Sequence, residues 1–326
     1  MRNMNNICKK TNTIFLITTI IYIATSLFMS MLSVRSIGTS VAISLIFGEL
    51  VVVIPGLIFI LLGKYDLLEW IPFKKVKKST IGFTILITIT IMPFLYLLNM
   101  ISQLFVENVA LDLLGQFQEG SMVMTFLLVG VLGPICEEIA FRGIFFGGFK
   151  KSARILGAVI WSGLLFGLFH MNLNQFGYAF ALGVVSALLI EATGSIWPSI
   201  LLHVLVNSSN VLELYVVQFL YGKLGISMEE ITQSAEAVSQ GGIIVSILVL
   251  LPFAAGGLVL AVVLYNAILK CEGRKEYVLS IFKKNNDNEN DNDKKPHVFS
   301  ATGIIGAAIC IFMIFAMEMV LRLFGI

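Results

Sequence analysis

The chain has 326 residues, of which 57% are hydrophobic and only 13% charged, with a mean hydropathy of +0.92 and a formal net charge of +2. Soluble domains carry about 25% charged residues, so this composition excludes a soluble globular domain and a disordered chain alike. It leaves a polytopic membrane protein whose first partner is the lipid bilayer, with no nucleic-acid partner expected.

A helix needs about 20 mainly apolar residues to cross the hydrocarbon core. In chain order that template fits near 13–34, 39–62, 80–105, 122–149, 155–171, 176–191, 197–220, 243–269 and 300–323. The expected fold is all-α, a polytopic transmembrane helix bundle of about nine membrane helices around a buried polar site. The apolar run from Ile14 to Leu32 exceeds the roughly 7–15 residues of a signal-peptide core and reads as the first anchor. The basic run Lys74-Lys75-Val76-Lys77-Lys78 after the second span reads as a topology anchor at the headgroups. Spans 155–171 and 176–191 are short and form a hairpin across the polar turn Met171-Asn172-Leu173-Asn174-Gln175. Residues 221–242, with Glu229, Glu230 and Glu236, read as an exposed outer connection, and the low-complexity stretch 283–295 as a disordered tether.

Placing the amino terminus in the cytoplasm puts 18 of the 22 Lys and Arg residues on the inner side. Arg35, Lys223 and Arg322 then lie outside and Arg142 within the membrane, the asymmetry that the positive-inside rule expects. The cysteines Cys8, Cys136, Cys271 and Cys310 are scattered and lack CxxC spacing, which argues against disulfides and a cysteine zinc site.

Charge inside an apolar span is costly and usually marks function. The segment Gly133-Pro134-Ile135-Cys136-Glu137-Glu138-Ile139-Ala140-Phe141-Arg142-Gly143 carries such charge. Proline removes a helical hydrogen bond and bends the segment just before the acids. Glu138 and Arg142, four apart, are placed to pair, and a structural pair and a direct role stand equally open for them. Glu137, turned about 100° away, is left free to act as a chemical base. Phe166 and His170 share one helix face, as do His203 and Asn207 on another. Without water these groups need one another. Gathered in one pocket, they supply a carboxylate and an imidazole to polarise water and donors for a developing oxyanion. HExxH, GxSxG and paired intramembrane aspartates are absent. Cys136 as a nucleophile is the weaker alternative, because a buried cysteine is more commonly packing. At 1.5 Å per residue, His203 lies about 9 Å and His170 about 22 Å from the inner ends of their helices, a mismatch for one shared site. The other intramembrane acids, Glu49, Glu213 and Glu318, read as groups that snorkel, pair with polar neighbours or line a wet cavity, and Glu191 lies near a helix end.

Glu137-Glu138-xxx-Arg142, Phe166-xxx-His170 and His203-xxx-Asn207 resemble, in order, the motifs of the CPBP intramembrane protease family. This is the family of the type II CAAX prenyl endopeptidases and their bacterial relatives, also called Abi. The resemblance covers roughly residues 120–215, with residues 1–119 and 216–326 contributing further membrane helices. It implies that Glu137 with His170 activates water, that His203 with Asn207 forms the oxyanion site, and that Glu138 with Arg142 positions the centre. It implies a membrane-associated peptide or protein substrate, lipidated in the CAAX enzymes, and access from the cytoplasmic side. No obligatory cofactor is expected; were a divalent metal such as zinc used, Glu137, His170 and His203 would be its ligands. The competing readings are a proton-coupled transporter and a non-catalytic membrane scaffold or immunity protein. The absence of an internal repeat weakens the former.

Overall fold

The computed structural model describes residues 2–34, 41–106, 122–151, 154–226, 230, 239–283 and 298–324. Residues 284–295 of the expected tether and half of the connection expected at 221–242, Glu229 and Glu236 included, lie outside these residues, as does Arg35.

Backbone polar groups in lipid must be satisfied within the chain, so apolar runs of this length close into helices. The described elements are α1 (Arg2–Val34), α2 (Val41–Leu62), a single-turn α3 (Leu67–Trp70) and α4 (Lys78–Ser102). They continue with α5 (Met122–Lys150) and with α6 (Ile155–Phe169), α7 (Leu173–Thr193), α8 (Trp197–Lys223), α9 (Gln240–Cys271), α10 (Lys275–Lys283) and α11 (Ala301–Phe324). Eight of these are long and apolar enough to span a bilayer, and α6 is a shorter apolar helix. The protein is an integral, multi-pass helix bundle, and no strand occurs among the described residues.

The expected polar turn between α6 and α7 is shorter than the sequence suggests. Only His170, Met171 and Asn172 connect the two helices, with Met171 in the left-handed region at φ 49°. Asn172 caps α7 by accepting from the Gln175 backbone N–H at 3.1 Å. Asn174 is buried inside the helix, where its amide donates to Ser102 Oγ at 2.9 Å and its Oδ1 accepts from Asn99 at 3.2 Å. With partners on α4, these polar residues had no need of a loop.

A second buried amide ties distant parts of the chain. Asn12 of α1 donates to Val298 O at 2.9 Å and to Cys8 O at 3.0 Å, and accepts from Trp161 Nε1 of α6 at 3.0 Å. One end of the bundle collects basic residues around Glu191. Lys150 Nζ lies 3.0 Å from Glu191 Oε1, Tyr277 donates to Glu191 Oε2 at 2.6 Å, and Arg274 Nε donates to the Glu191 carbonyl at 2.8 Å. A groove of about 750 Å³ runs between α1 and α2, lined by Ile17, Ile21, Ile54 and Ile58, with Lys10 at its rim. It contains none of the motif residues.

Candidate active site

Helix α5 is wound unevenly. An α-helical turn, Gly133–Glu138, sits between two wide π-helical segments, Phe126–Leu132 and Ile139–Phe146. The proline accounts for the first. Pro134 has no N–H to give, and its ring crowds the carbonyl four residues back, that of Gly130. The chain widens, and Gly133 N–H reaches Leu128 O instead. Side chains from neighbouring helices then meet the carbonyls that the wide turns leave underused. In the first segment Gly130 O accepts from Ser208 Oγ at 3.1 Å, and Val129 O from Asn207 Nδ2 at a long 3.4 Å. In the second, Phe141 O accepts from Ser162 Oγ at 3.1 Å and Ile144 O from Trp70 Nε1 at 2.9 Å. Wide turns of this kind recur at functional sites, and here they frame the two glutamates.

Adjacent in sequence, the glutamates have opposite surroundings. Glu138 is fully buried and fully engaged. Its Oε1 meets His203 Nδ1 at 2.9 Å, its Oε2 accepts from Ser199 Oγ, and Arg142 Nε lies 3.4 Å from Oε2. Glu137 keeps 23% of its side chain exposed, and its Oε2 stands 3.5 Å from His203 Nε2 with no hydrogen-bond partner among the described residues. Carboxylate and imidazole thus face each other across a gap rather than closing on each other.

Arg142 is only 1% exposed, and its guanidinium nitrogens find no hydrogen-bond acceptor among the described residues. Its charge is compensated by Glu138 and by the face of Phe166, whose ring centroid is 3.9 Å from Arg142 Cζ. The guanidinium can lie there because α6 and α7 cross on bare backbone. A Cβ on Gly183 would come 2.9 Å from Gly163 Cα and 3.0 Å from Arg142 Nη2. Any larger residue at Gly183 would displace the arginine.

Phe166 also brings the histidines level. Its ring stands edge-on to His170 at 4.8 Å and to His203 at 5.6 Å, so the offset expected from counting helix ends is closed. His170 caps α6, and its Nδ1 lies 2.9 Å from Phe166 O. A carbonyl can only accept, which assigns the proton to Nδ1 and leaves Nε2 with a free lone pair. For His203 the partner is an acidic oxygen, which assigns Nδ1–H likewise; its Nε2 can then donate only when the ring carries both protons.

The structure therefore brings together Glu137, Glu138, Arg142, His170 and His203, with Phe166 at the centre. Asn207 lies one turn beyond His203, with one amide hydrogen directed weakly at Val129 O. Among the described residues no group of three or more His, Cys, Asp or Glu side chains is arranged to hold a metal ion. Were a divalent ion bound, Glu137 and the Nε2 atoms of His170 and His203 would hold it, since the Nδ1 atom of each histidine is already held by Phe166 O or Glu138. Three residues of this region went unnoticed in the sequence. Ser199 was signalled by its four-residue spacing from His203. Trp70 and Ser162 serve backbone carbonyls, and no residue pattern announces that.

Residues 119–209 match the family model described as Type II CAAX prenyl endopeptidase Rce1-like. A protein of Bacillus subtilis (strain 168) named "Putative membrane peptidase YdiL" is 32% identical over 85 residues, 26% of this chain and 35% of that relative. The chain thus matches about a third of the length of that relative. No solved structure matches it.

Proposed function

We propose, from the match of residues 119–209 to the family model of the type II CAAX prenyl endopeptidases, that this protein is an integral membrane endopeptidase that hydrolyses a peptide bond of a membrane-associated protein or peptide. The observation that carries the reading is the contrast between the two glutamates. Glu138 is spent on structure, while Glu137 keeps an oxygen without a partner opposite His203.

In the proposed reaction a water donates one hydrogen to Glu137 and the other to His170 Nε2. As its oxygen bonds to the amide carbon, the proton passes to Glu137 and the carbonyl oxygen takes up negative charge. Doubly protonated His203, through Nε2–H, and Asn207, through its amide, stabilise that charge. Glu138 holds His203 by its Nδ1, and Arg142 and Ser199 hold Glu138. When the C–N bond breaks, its electron pair goes to nitrogen, which takes the proton from Glu137 to leave a carboxylic acid and an amine.

No step here is routed through a metal ion, and cleavage that persists in excess chelator is the expected result. The gathering of Lys74, Lys77, Lys150 and Arg274 near Glu191 and Glu272 supports placing that end, and the amino terminus with it, in the cytoplasm. Lipidated substrates, such as prenylated proteins, are the class that the family suggests.

The test compares new peptide termini in membranes of cells expressing wild type or Glu137→Gln at matched levels. Termini that depend on Glu137 establish the peptidase and reveal its substrate. Identical termini, from a folded and inserted variant, would move the reading to transport or scaffolding.

A further inference from the structure

We infer that Glu49, on α2 and outside the family-matched segment, is a further catalytic residue of this centre, accepting a hydrogen bond from the leaving nitrogen of the scissile amide. The inference rests on the peptidase reading.

Three observations carry it. First, Glu49 reaches the chemical helix. Its Oε1 lies 3.2 Å from where a Cβ on Gly133 would sit. Gly133 is four residues before Glu137 and so on the same helix face, and a side chain there would crowd the carboxylate. Second, Glu49 Oε2 is shielded from solvent yet has no hydrogen-bond partner among the described residues, the same condition as Glu137 Oε2. A buried polar atom without a partner is costly, and its persistence calls for an explanation. Third, Glu49 and Glu137 lie within electrostatic reach of each other, and Tyr22 of α1 lies within reach of both.

Counting hydrogens selects the ligand. The attacking water has two, which Glu137 and the free Nε2 of His170 take. A further acceptor in the same space needs a donor that water does not supply. The reaction brings one, the N–H of the scissile amide, which gains hydrogen and basicity as the C–N bond breaks. Glu49 beside Glu137 then meets that nitrogen as Glu137 hands over its proton, and leaves with its own protonation state unchanged. This places the amine side of the substrate against α2 and the carbonyl side against His203 and Asn207 on α8.

The experiment uses the full-length protein and two probes built on the junction identified from Glu137-dependent termini. One is the synthetic peptide; the other is the same sequence with an ester at the scissile bond, whose leaving oxygen has no hydrogen to donate. Glu49→Gln is expected to lower kcat on the amide at least ten-fold with little change in KM. On the ester it should cost less than three-fold, and Glu49→Asp should recover part of the amide rate. Thermal stability of Glu49→Gln should equal or exceed wild type, because a buried group without a partner has been neutralised. Equal losses on amide and ester, wild-type rates on both, or a loss of stability in both Glu49→Gln and Glu49→Asp would overturn the assignment. Full ester and amide turnover by Glu137→Gln would instead sink the peptidase reading itself.

Discussion

Neutralising each of the two adjacent glutamates should separate structure from chemistry. Glu138→Gln preserves volume but removes the charge that faces buried Arg142 at 3.4 Å and His203 Nδ1 at 2.9 Å. Losing one partner of a buried ion pair costs about 3–5 kcal/mol. Glu137→Gln removes only a partly exposed group 3.5 Å from a histidine, worth about 0–1 kcal/mol, yet it should abolish cleavage. Reversible unfolding in mixed detergent micelles reads the stabilities, and appearance of the Glu137-dependent termini reads the activity. The double variant Glu138→Gln/Arg142→Met removes both charges and should return to within about 1–2 kcal/mol of wild type, because neutralising a whole buried pair is often neutral. Equal destabilisation by the two single variants, or no recovery in the double, would refute the assignment of Glu138 as the structural member.

Further outcomes follow from other contacts. Trp70→Phe leaves Ile144 O of the second wide turn without its 2.9 Å donor; a loss of about 1–3 kcal/mol is expected, measured by the same unfolding, and no change would show that the donor is dispensable. Gly183→Ala puts a methyl 2.9 Å from Gly163 Cα and 3.0 Å from Arg142 Nη2. Overpacking should cost about 1–3 kcal/mol and reduce cleavage, and an active variant of wild-type stability would show that α6 and α7 can separate freely. At the Glu191 cluster, burial and then the hydrogen bond to Glu191 push the Tyr277 phenol from 10.0 up to about 12. The folded state holds that proton more tightly, so its contribution is complete below pH 10 and lost as pH rises towards 12. Thermal melts between these limits should show wild type losing stability faster than Tyr277→Phe, and parallel curves would dissociate Tyr277 from the effect.

Much of the fold was legible because lipid leaves one solution for a long apolar run. The spans, the short hairpin and the Glu138–Arg142 pair all follow from length and spacing. What escaped were features set by contacts between helices. Pro134 announced a bend, but that the bend would be two wide turns depends on Ser208, Ser162 and Trp70 standing opposite their carbonyls. Asn174 looked like loop because its partners, Asn99 and Ser102, are on another helix. The depth mismatch between His170 and His203 came from assuming that helix ends are flush. Glu49 was read as an ordinary intramembrane acid, since nothing in its own helix shows that it abuts Gly133.

Asn12 bears on how the molecule is assembled in time. Its amide donates to Val298 O, 286 residues further along the chain. At synthesis rates of about 5–20 residues per second, α1 waits roughly 15–60 s for that acceptor. Throughout that interval a polar amide in the first span lacks one of its final partners, in surroundings where water cannot substitute. A nascent chain arrested before α11 should therefore carry a mark of incompleteness inside the bilayer, one that membrane quality-control proteases can read and that vanishes when the distant strand of chain arrives.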